Sequence, residues 1–252
     1  MRQGYSLTPG VASLFRQPIV VVNQAALGRS PWHEVRTDAT KMINALGVGS
    51  AIAQGLVGRG GPSPITEVHR LGETDARVYL LAQQDVHGPL LAVGLLKVGK
   101  KNLFHFDANG RTRELREQMC VLDFYVHEDW QRGGLGRALF EAMLQNEGVD
   151  ASKLAYDVRD ADHIAAELDC HLDALRTCAS CEPFGMLSVR GLHVWQRPSP
   201  KLIGFMRKHY GLTNYVPQQN KFVIFDEYFA DKPMCEPSHA FILRVSASCC
   251  RP

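Results

Sequence analysis

The segment VLDFYVHEDWQRGGLGRALF, residues 121–140, decides the fold of this chain. Its first part alternates residues in the manner of a β-strand, and its last part places Leu135 and Leu139 on one stripe of a helix together with Met143. Glycines stand between the two parts. At such a junction they let backbone N–H groups close on an anion, and the helix dipole favours negative charge there. The segment therefore predicts a strand, an anion-binding loop and a helix in direct succession.

The spacing within the loop distinguishes between kinds of phosphate-binding loop. No Gly-Lys-Ser/Thr follows, which excludes a Walker loop, and the Gly-x-Gly-x-x-Gly spacing of dinucleotide-binding folds is absent. The order Gln/Arg-x-x-Gly-x-Gly before an amphipathic helix is typical of the loop that holds the pyrophosphate in acyl-CoA-dependent N-acetyltransferases. An ordinary glycine-rich turn is the alternative interpretation.

Length and composition set limits on the kind of protein. The chain has 252 residues, 45% of them hydrophobic, and a formal net charge of +2. Its length predicts one domain, or one domain with appendages. No apolar run approaches the roughly 18 residues of a membrane span, and no basic run with interleaved aromatic residues suggests nucleic acid. The N-terminus has no continuous apolar signal core, and seven cysteines are an odd number, so a cytoplasmic protein without a disulfide framework is expected.

Periodicity predicts an α/β fold with a mixed twisted sheet flanked by helices, in a single domain. Helices are predicted over residues 32–56, from the loop to 147, and over 200–210, with Gly47 and Gly49 bending or breaking the first. Residues 58–64 are predicted to be a flexible linker. Strands are predicted at residues 19–22, 77–82, 90–98, 103–106, 118–127, 153–157 and 221–229.

Further segments, spread over roughly residues 15–230, are similar to those of a known protein family. They include Ala53-Gln54, Pro64-Ile65-Thr66, VGLLKVG at 93–99, CVLDFYVHE at 120–128 and RPSPKL at 197–202. In these segments the chain resembles the α-tubulin N-acetyltransferase family, a branch of the Gcn5-related N-acetyltransferase (GNAT) fold. The resemblance implies direct transfer in a ternary complex, from acetyl-CoA as co-substrate to a lysine of α-tubulin, without a metal. It also implies a monomer in the cytoplasm, at the microtubules of the cytoskeleton, including those of cilia or axonemes.

The resemblance marks Gln54, Cys120 and Asp157 as catalytic. An attacking lysine has a pKa near ~10.4 and must lose a proton, so a proton acceptor or a water path is needed. Taken alone, the three residues have plainer interpretations, as an exposed helix-end glutamine, a small buried strand residue and a turn or cap aspartate.

The resemblance also carries over two CoA-binding segments. The first contains Phe124, Tyr125, Val126, His127, Gln131, Arg132, Gly133, Gly134, Leu135, Gly136 and Arg137. The second contains Ser199, Pro200, Lys201, Leu202, Phe205 and Lys208. For Lys201 and Lys208 a solvated helix face is the alternative. Lys97, Lys100 and Lys101 are predicted to form a basic patch, either facing acidic tubulin or simply solvated.

Residues 158–196 interrupt the resemblance, because the family runs directly from the counterpart of Asp157 to Arg197. Val codons begin with GT, one Gln codon is CAG, and 39 codons keep the reading frame, so a retained intron is the leading hypothesis and a genuine loop the alternative. Cys178 and Cys181 lack a second pair and predict no metal site. The predicted layout is a disordered segment 1–14, an acetyltransferase domain 15–157 and 197–230, and a disordered tail 231–252.

Two other functions stay open from the sequence. One is an acetyltransferase with another protein or a small amine as acceptor, and the other is an inactive microtubule-binding homologue. The presence of Gln54, Cys120 and Asp157 argues against an inactive protein, whereas the insertion argues for it.

Overall fold

The structure is a computed structural model that describes residues 2–58, 60–72, 75–85, 88–107, 109–158, 200–218 and 220–230. The predicted tail, Ser199 and all of the predicted insertion except Val158 lie outside these residues. So does a short helix that the sequence predicts at 164–175. Among the described residues, no helix is both long and apolar enough to cross a membrane.

The elements alternate in the manner of an α/β protein. The helices are α1 Pro9–Ala12, α2 Gln24–Leu27, α3 Arg36–Ala53, α4 Val68–Leu71, α5 Leu135–Glu147 and α6 Pro200–Tyr210. The strands are β1 Tyr5–Ser6, β2 Ile19–Asn23, β3 Val57–Gly58, β4 Gly61–Pro62, β5 Arg77–Gln84, β6 Leu90–Phe106, β7 Thr112–Val126, β8 Ala155–Asp157 and β9 Phe222–Ile224. The two strands predicted at 90–98 and 103–106 are one strand, β6, and the last predicted strand is shortened by a 3₁₀ turn at Asp226–Phe229.

The main sheet has the order β2-β5-β6-β7-β8-β9. Among the described strands of this sheet, β7 and β8 are the only parallel pair, and the remaining pairs are antiparallel. β1 pairs with β6 through Tyr5 and Ser6, beyond the point where β7 ends, so it continues the line of β7 along the same edge of β6. The predicted mixed sheet is confirmed.

Helices cover both faces of this sheet. On one face, Leu139, Phe140 and Met143 of α5 and Met206 of α6 pack with Val98 and its neighbours. The other face is covered by α3, through Met42, Ile43 and Leu46, against Val78, Leu80 and Leu95. A third cluster lies at the far end of β6 and β7, where Cys120 packs with residues of β8 and β9. The layers bury apolar clusters on both faces of the sheet, and this burial is the main source of stability.

The sequence predicts that glycines bend or break the first helix, and the break is absent. α3 runs unbroken from Arg36 to Ala53. A Cβ at position 47 would overlap the carbonyl oxygen of Thr66, and one at position 49 would lie 3.1 Å from the Tyr125 hydroxyl. These glycines lower the intrinsic helix propensity, but they permit the close packing of α3 on its neighbours, which outweighs that cost.

Two segments predicted to lack structure are ordered by contacts distant in sequence. In the segment 1–14, β1 pairs with β6, and Val11 is buried. The Gln3 backbone also donates to Asp129 and accepts from the Trp130 indole, each at 2.7 Å. The predicted linker contains the β3–β4 hairpin. Disorder was therefore wrongly predicted for the described part of the N-terminus, because its partners lie about a hundred residues away.

The C-terminal end of α5 is tied to β5 by a buried carboxylate. Glu147 accepts from the Arg77 guanidinium at 2.6 and 2.8 Å and from the Tyr79 hydroxyl at 2.6 Å. A negative charge is unfavourable at this end of a helix. The bidentate contact with Arg77 compensates for that position and fixes the helix against the sheet.

Replacing Glu147 with Gln is expected to lower the free energy of unfolding by about 1.5–3 kcal/mol, because hydrogen bonds to a charged group are lost in a largely buried site. Urea denaturation measures this change. The matched control is Glu141→Gln on the same helix, whose exposed pair with Arg137 is expected to contribute less than ~0.5 kcal/mol. Equal losses in the two variants would contradict the anchoring role.

Candidate active site

The site lies where two neighbouring strands separate. β7 and β8 pair only through Cys120 with Ala155 and Val121 with Tyr156. Beyond this point, within the described residues, the stretch of β7 from 122 to 126 has no strand beside it on the β8 side. An unpaired strand edge presents backbone donors and acceptors to a ligand. The divergence therefore opens a cleft lined by backbone groups.

The glycine loop closes one end of this cleft. Arg132 and Gly134 have φ angles of 65° and 84°, in the left-handed region, and α5 begins at Leu135. In the described part of the chain, the backbone N–H groups from 132 to 137 have no hydrogen-bond acceptor. The loop is exposed at residues 131–134. Free N–H groups at the start of a helix are suited to binding an anion. The predicted order of strand, loop and helix is confirmed by β7 and α5.

Helix α6 borders the same region. Phe205 makes edge-on ring contacts with Phe124 and Phe140, with centroids 5.2 and 5.6 Å apart. Leu202 is partly buried against this core, whereas Lys201 and Lys208 are exposed. The structure thus brings the part of the second predicted CoA segment that lies on α6 beside the first, with the two lysine side chains exposed.

The predicted CoA residues before the loop do not share one orientation. Phe124 and Val126 pack on the α5 face, whereas the Tyr125 side chain packs on the opposite face, near Gly49. Burial raises the pKa of Tyr125 to about 12. Gln131 donates to the Val126 carbonyl at 2.7 Å, and His127 accepts from the Asp129 N–H at 3.3 Å. Tyr125 therefore offers this cleft only its backbone.

Cys120 and Asp157 lie on one face of the sheet. Cys120 pairs with Ala155, and side chains alternate along a strand, so Ala155 and Asp157 share the face of Cys120. Asp157 ends β8 at the point where this strand leaves β7. The Cys120 thiol is completely buried and donates to the Gln118 carbonyl at 3.2 Å.

The Cys120 thiol is protonated at neutral pH. Burial raises its pKa to about 12, and the nearby Asp157 charge adds to this shift. A thiol is a poor nucleophile until it loses its proton, so this geometry does not suit a covalent acetyl-cysteine.

We therefore expect the pH profile of kcat/KM for Cys120→Ala to keep the wild-type shape between about pH 6 and 9, whatever its height, since an acid with a raised pKa stays neutral throughout that window. Initial rates measured at several pH values in both proteins test this. A wild-type ionisation that disappears in Cys120→Ala would show that the thiol titrates during the reaction.

Gln54 lies on the same side of the sheet, at the C-terminal end of α3. Its Nε2 donates to Ser50 Oγ at 2.8 Å and to Asp123 Oδ1 at 3.1 Å. Asp123 also accepts from Ser50 and Thr66, each at 2.6 Å. Burial raises the pKa of Asp123, while these hydrogen bonds and the Lys97 charge oppose the rise.

Sequence reasoning did not select Asp123 as a site residue. Its only signal is a carboxylate within an otherwise apolar strand, between Leu122 and Phe124. Its partners come from α3 and from the chain before α4, so no short motif reveals them.

The predicted basic patch is smaller than the sequence suggested. Lys97 is buried, donates to the Ile65 carbonyl at 3.1 Å and lies opposite Asp123 in the β6–β7 register. Lys100 is exposed and pairs with Glu117 at 3.1 Å. Lys97 was wrongly assigned to the surface, because alternation along a strand places it on the face covered by α3.

Similarity to known proteins shows the family to which the chain belongs. A family model described as "GNAT acetyltransferase, Mec-17" matches residues 8–177 and 186–242. The protein is thus an acetyltransferase of the GNAT class. Within that class, the chain belongs to the Mec-17 family.

Relatives of the chain are named alpha-tubulin N-acetyltransferase. One from Aedes aegypti is 37% identical over 243 residues, which cover 93% of this chain and 72% of the relative. Proteins of that name from Anopheles gambiae and Tetrahymena thermophila are 37% and 39% identical over 87% and 75% of this chain. The chain spans only 37% and 35% of those two relatives. A solved acetyltransferase from Vibrio fischeri is 14% identical with a TM-score of 0.31, over 56% of this chain and 94% of that one, a likeness too weak to bear on function.

Proposed function

We propose that the protein transfers the acetyl group of acetyl-CoA to a lysine ε-amine of α-tubulin in microtubules, directly and within a ternary complex. The observation that carries the proposal is the cleft between β7 and β8, which ends at the free N–H groups of the glycine loop. The relatives' names supply the acceptor.

The residues present suit a CoA thioester. The free N–H groups after Arg132 fit a pyrophosphate, and the exposed Arg132 side chain adds positive charge. The open edge of β7 offers backbone partners to an extended amide-containing arm such as pantetheine. When bound, acetyl-CoA would supply an activated acetyl group. Within the described residues, no group of three or more His, Cys, Asp or Glu could hold a metal ion.

The protein's own groups would fix the acceptor amine and take its proton. Asp157, at the end of β8 where the strands part, is the proposed proton acceptor, directly or through water. Gln54 is proposed to hold the amine or a water through its carboxamide oxygen, because its Nε2 already donates to Ser50 and Asp123. Cys120 shapes the floor beside Asp157 without acting as a nucleophile. Such positioning accounts for a large share of rate enhancement in two-substrate reactions.

The test uses the full chain with labelled acetyl-CoA and either polymerised tubulin or free spermidine. Label on α-tubulin alone supports the proposal. Label on spermidine alone would show that the acceptor is a small amine and not α-tubulin. No transfer to either, with co-sedimentation on microtubules retained, would overturn the enzymatic function in favour of a binding role.

A further inference from the structure

A buried carboxylate lies next to Gln54, and the proposed mechanism does not use it. Asp123 is only 4% exposed and follows a bulge in β7, where the register shifts between its pairing with Lys97 and the pairing of Val121 with Val98. The extra residue, Leu122, re-aims the strand at this point. As a result, the Asp123 side chain points to the face covered by α3, beside the place where β7 and β8 separate.

The hydrogen bonds of Asp123 fix the orientation of the Gln54 carboxamide. An ionised carboxylate only accepts, and here it accepts from Ser50, Gln54 and Thr66. Ser50 donates to Asp123 and accepts from Gln54, so the two residues together engage the Gln54 amide nitrogen. The Gln54 carboxamide oxygen has no hydrogen bond within the described residues, so it is available to accept one from a ligand.

The second oxygen of Asp123 holds a different element. Thr66 Oγ donates to Oδ2 at 2.6 Å, and Lys97 donates to the carbonyl of the preceding residue, Ile65, at 3.1 Å. Asp123 and Lys97, two buried residues of opposite charge type that face each other in the β6–β7 register, therefore both hold the chain between β4 and α4. Burying such a pair seldom adds stability over a well-packed apolar pair of similar size. Its value here is positional, because apolar side chains could fill the space but could not orient an amide.

We propose that Asp123 is a positioning residue that acts through Gln54, holding its carboxamide oxygen toward the acceptor site. The inference rests on the proposed function for its kinetic consequence. The positioning itself is a property of the free protein and can be tested without any substrate.

The structural test follows the side-chain amide signal of Gln54 by ¹⁵N NMR, assigned by its loss in Gln54→Ala. In Asp123→Asn, amide protons of Gln54 are expected to exchange with solvent at least about tenfold faster than in the wild type, because asparagine keeps only one acceptor oxygen, which is uncharged and binds the Gln54 amide more weakly than a carboxylate does. The matched control is Thr66→Val, which removes a hydrogen bond to the same carboxylate without touching Gln54. Its Gln54 signal is expected to stay unchanged.

The kinetic test separates turnover from binding. Asp123→Asn is expected to lower kcat about 10- to 100-fold, while the Kd for CoA stays within about twofold. In a Gln54→Ala background, Asp123→Asn is expected to lower kcat less than about threefold further, since coupled residues are not additive. Thr66→Val should also lower kcat less than about threefold, because its effect on Gln54 is indirect.

Several outcomes would overturn the inference. One is an unchanged Gln54 signal in Asp123→Asn, and another is a full further loss of kcat in the Gln54→Ala background. If Asp123→Asn does not fold, Ser50→Ala replaces it, since Ser50 contacts both residues; a Gln54 signal unchanged there would equally overturn the inference. Failure of the wild type to acetylate any acceptor would instead overturn the proposed function, and the NMR result would still decide the positioning role.

Discussion

Substituting Gly134 with valine is expected to raise the Kd for coenzyme A by about a hundredfold or more, while the protein stays folded. Gly134 has a φ of 84° and immediately precedes α5. A β-branched residue is strongly disfavoured at this angle, so the loop must change its backbone conformation. Such a change turns the N–H groups of the loop away from a common point, and charge-assisted hydrogen bonds to the pyrophosphate are lost together.

The same helix offers a matched control for this substitution. Gly148 follows α5 with a φ of 63°, and a Cβ at either glycine would meet no atom within 4 Å. Gly148→Val therefore imposes similar backbone strain, roughly 1–2 kcal/mol, at the end of the helix distant from the loop. Its Kd for CoA, measured by calorimetry, should stay at the wild-type value. Equal loss of affinity in both variants would assign the effect to general destabilisation, and no loss in Gly134→Val would refute the pyrophosphate site.

The part of the site that the sequence predicted best is also the most local. Gly134 and Gly148 mark the two ends of α5, while Leu139 and Met143 mark its buried stripe. The prediction of a helix from the loop to residue 147 needed no contact from elsewhere in the chain. Turn conformation, helix capping and amphipathic period all act within a few residues, so a short segment contains the necessary information.

The features that the sequence missed depend on partners far along the chain. Asp123 and Thr66 are 57 residues apart, and Asp123 and Ser50 are 73 apart. Gly47 is unfavourable for a helix by local propensity, yet α3 packs so close to the Thr66 carbonyl that no larger residue fits at this position. Lys97 was assigned to the surface by its charge, although the alternation of β6 places it under α3. Each case is a tertiary contact that overrides a local preference, and no short motif encodes such contacts.

The resemblance to a known family selected a site residue that the physical properties of the sequence alone did not. On physical grounds alone, Gln54 reads as an exposed helix-end side chain. The structure instead places it half-buried in a hydrogen-bonded cluster next to the cleft. This burial gives a physical reason to select Gln54 as a site residue, and its position in the sequence gives none.

Replacing Asp157 with Asn is expected to lower kcat by about 10²- to 10⁴-fold, with the Kd for CoA within about threefold of the wild-type value. The two side chains have nearly the same shape, but the neutral amide cannot accept the proton that an attacking ammonium must lose. Asp157 ends β8 at the separation of the strands, whereas the loop proposed to hold CoA lies between β7 and α5. Removing the carboxylate should therefore affect the chemical step and spare the binding of the thioester donor.

Asp150→Asn is the matched control, because Asp150 precedes the same strand and caps a 3₁₀ turn by accepting from the Ser152 N–H at 2.8 Å. Asparagine caps equally well, so neither kcat nor the Kd for CoA should change. Single-turnover rates and calorimetry on the three proteins separate the two steps. Equal losses of turnover and CoA affinity in Asp157→Asn would make this residue part of the donor site. An unchanged kcat would require another proton acceptor, because the buried Cys120 thiol, with its pKa raised to about 12, cannot take that proton.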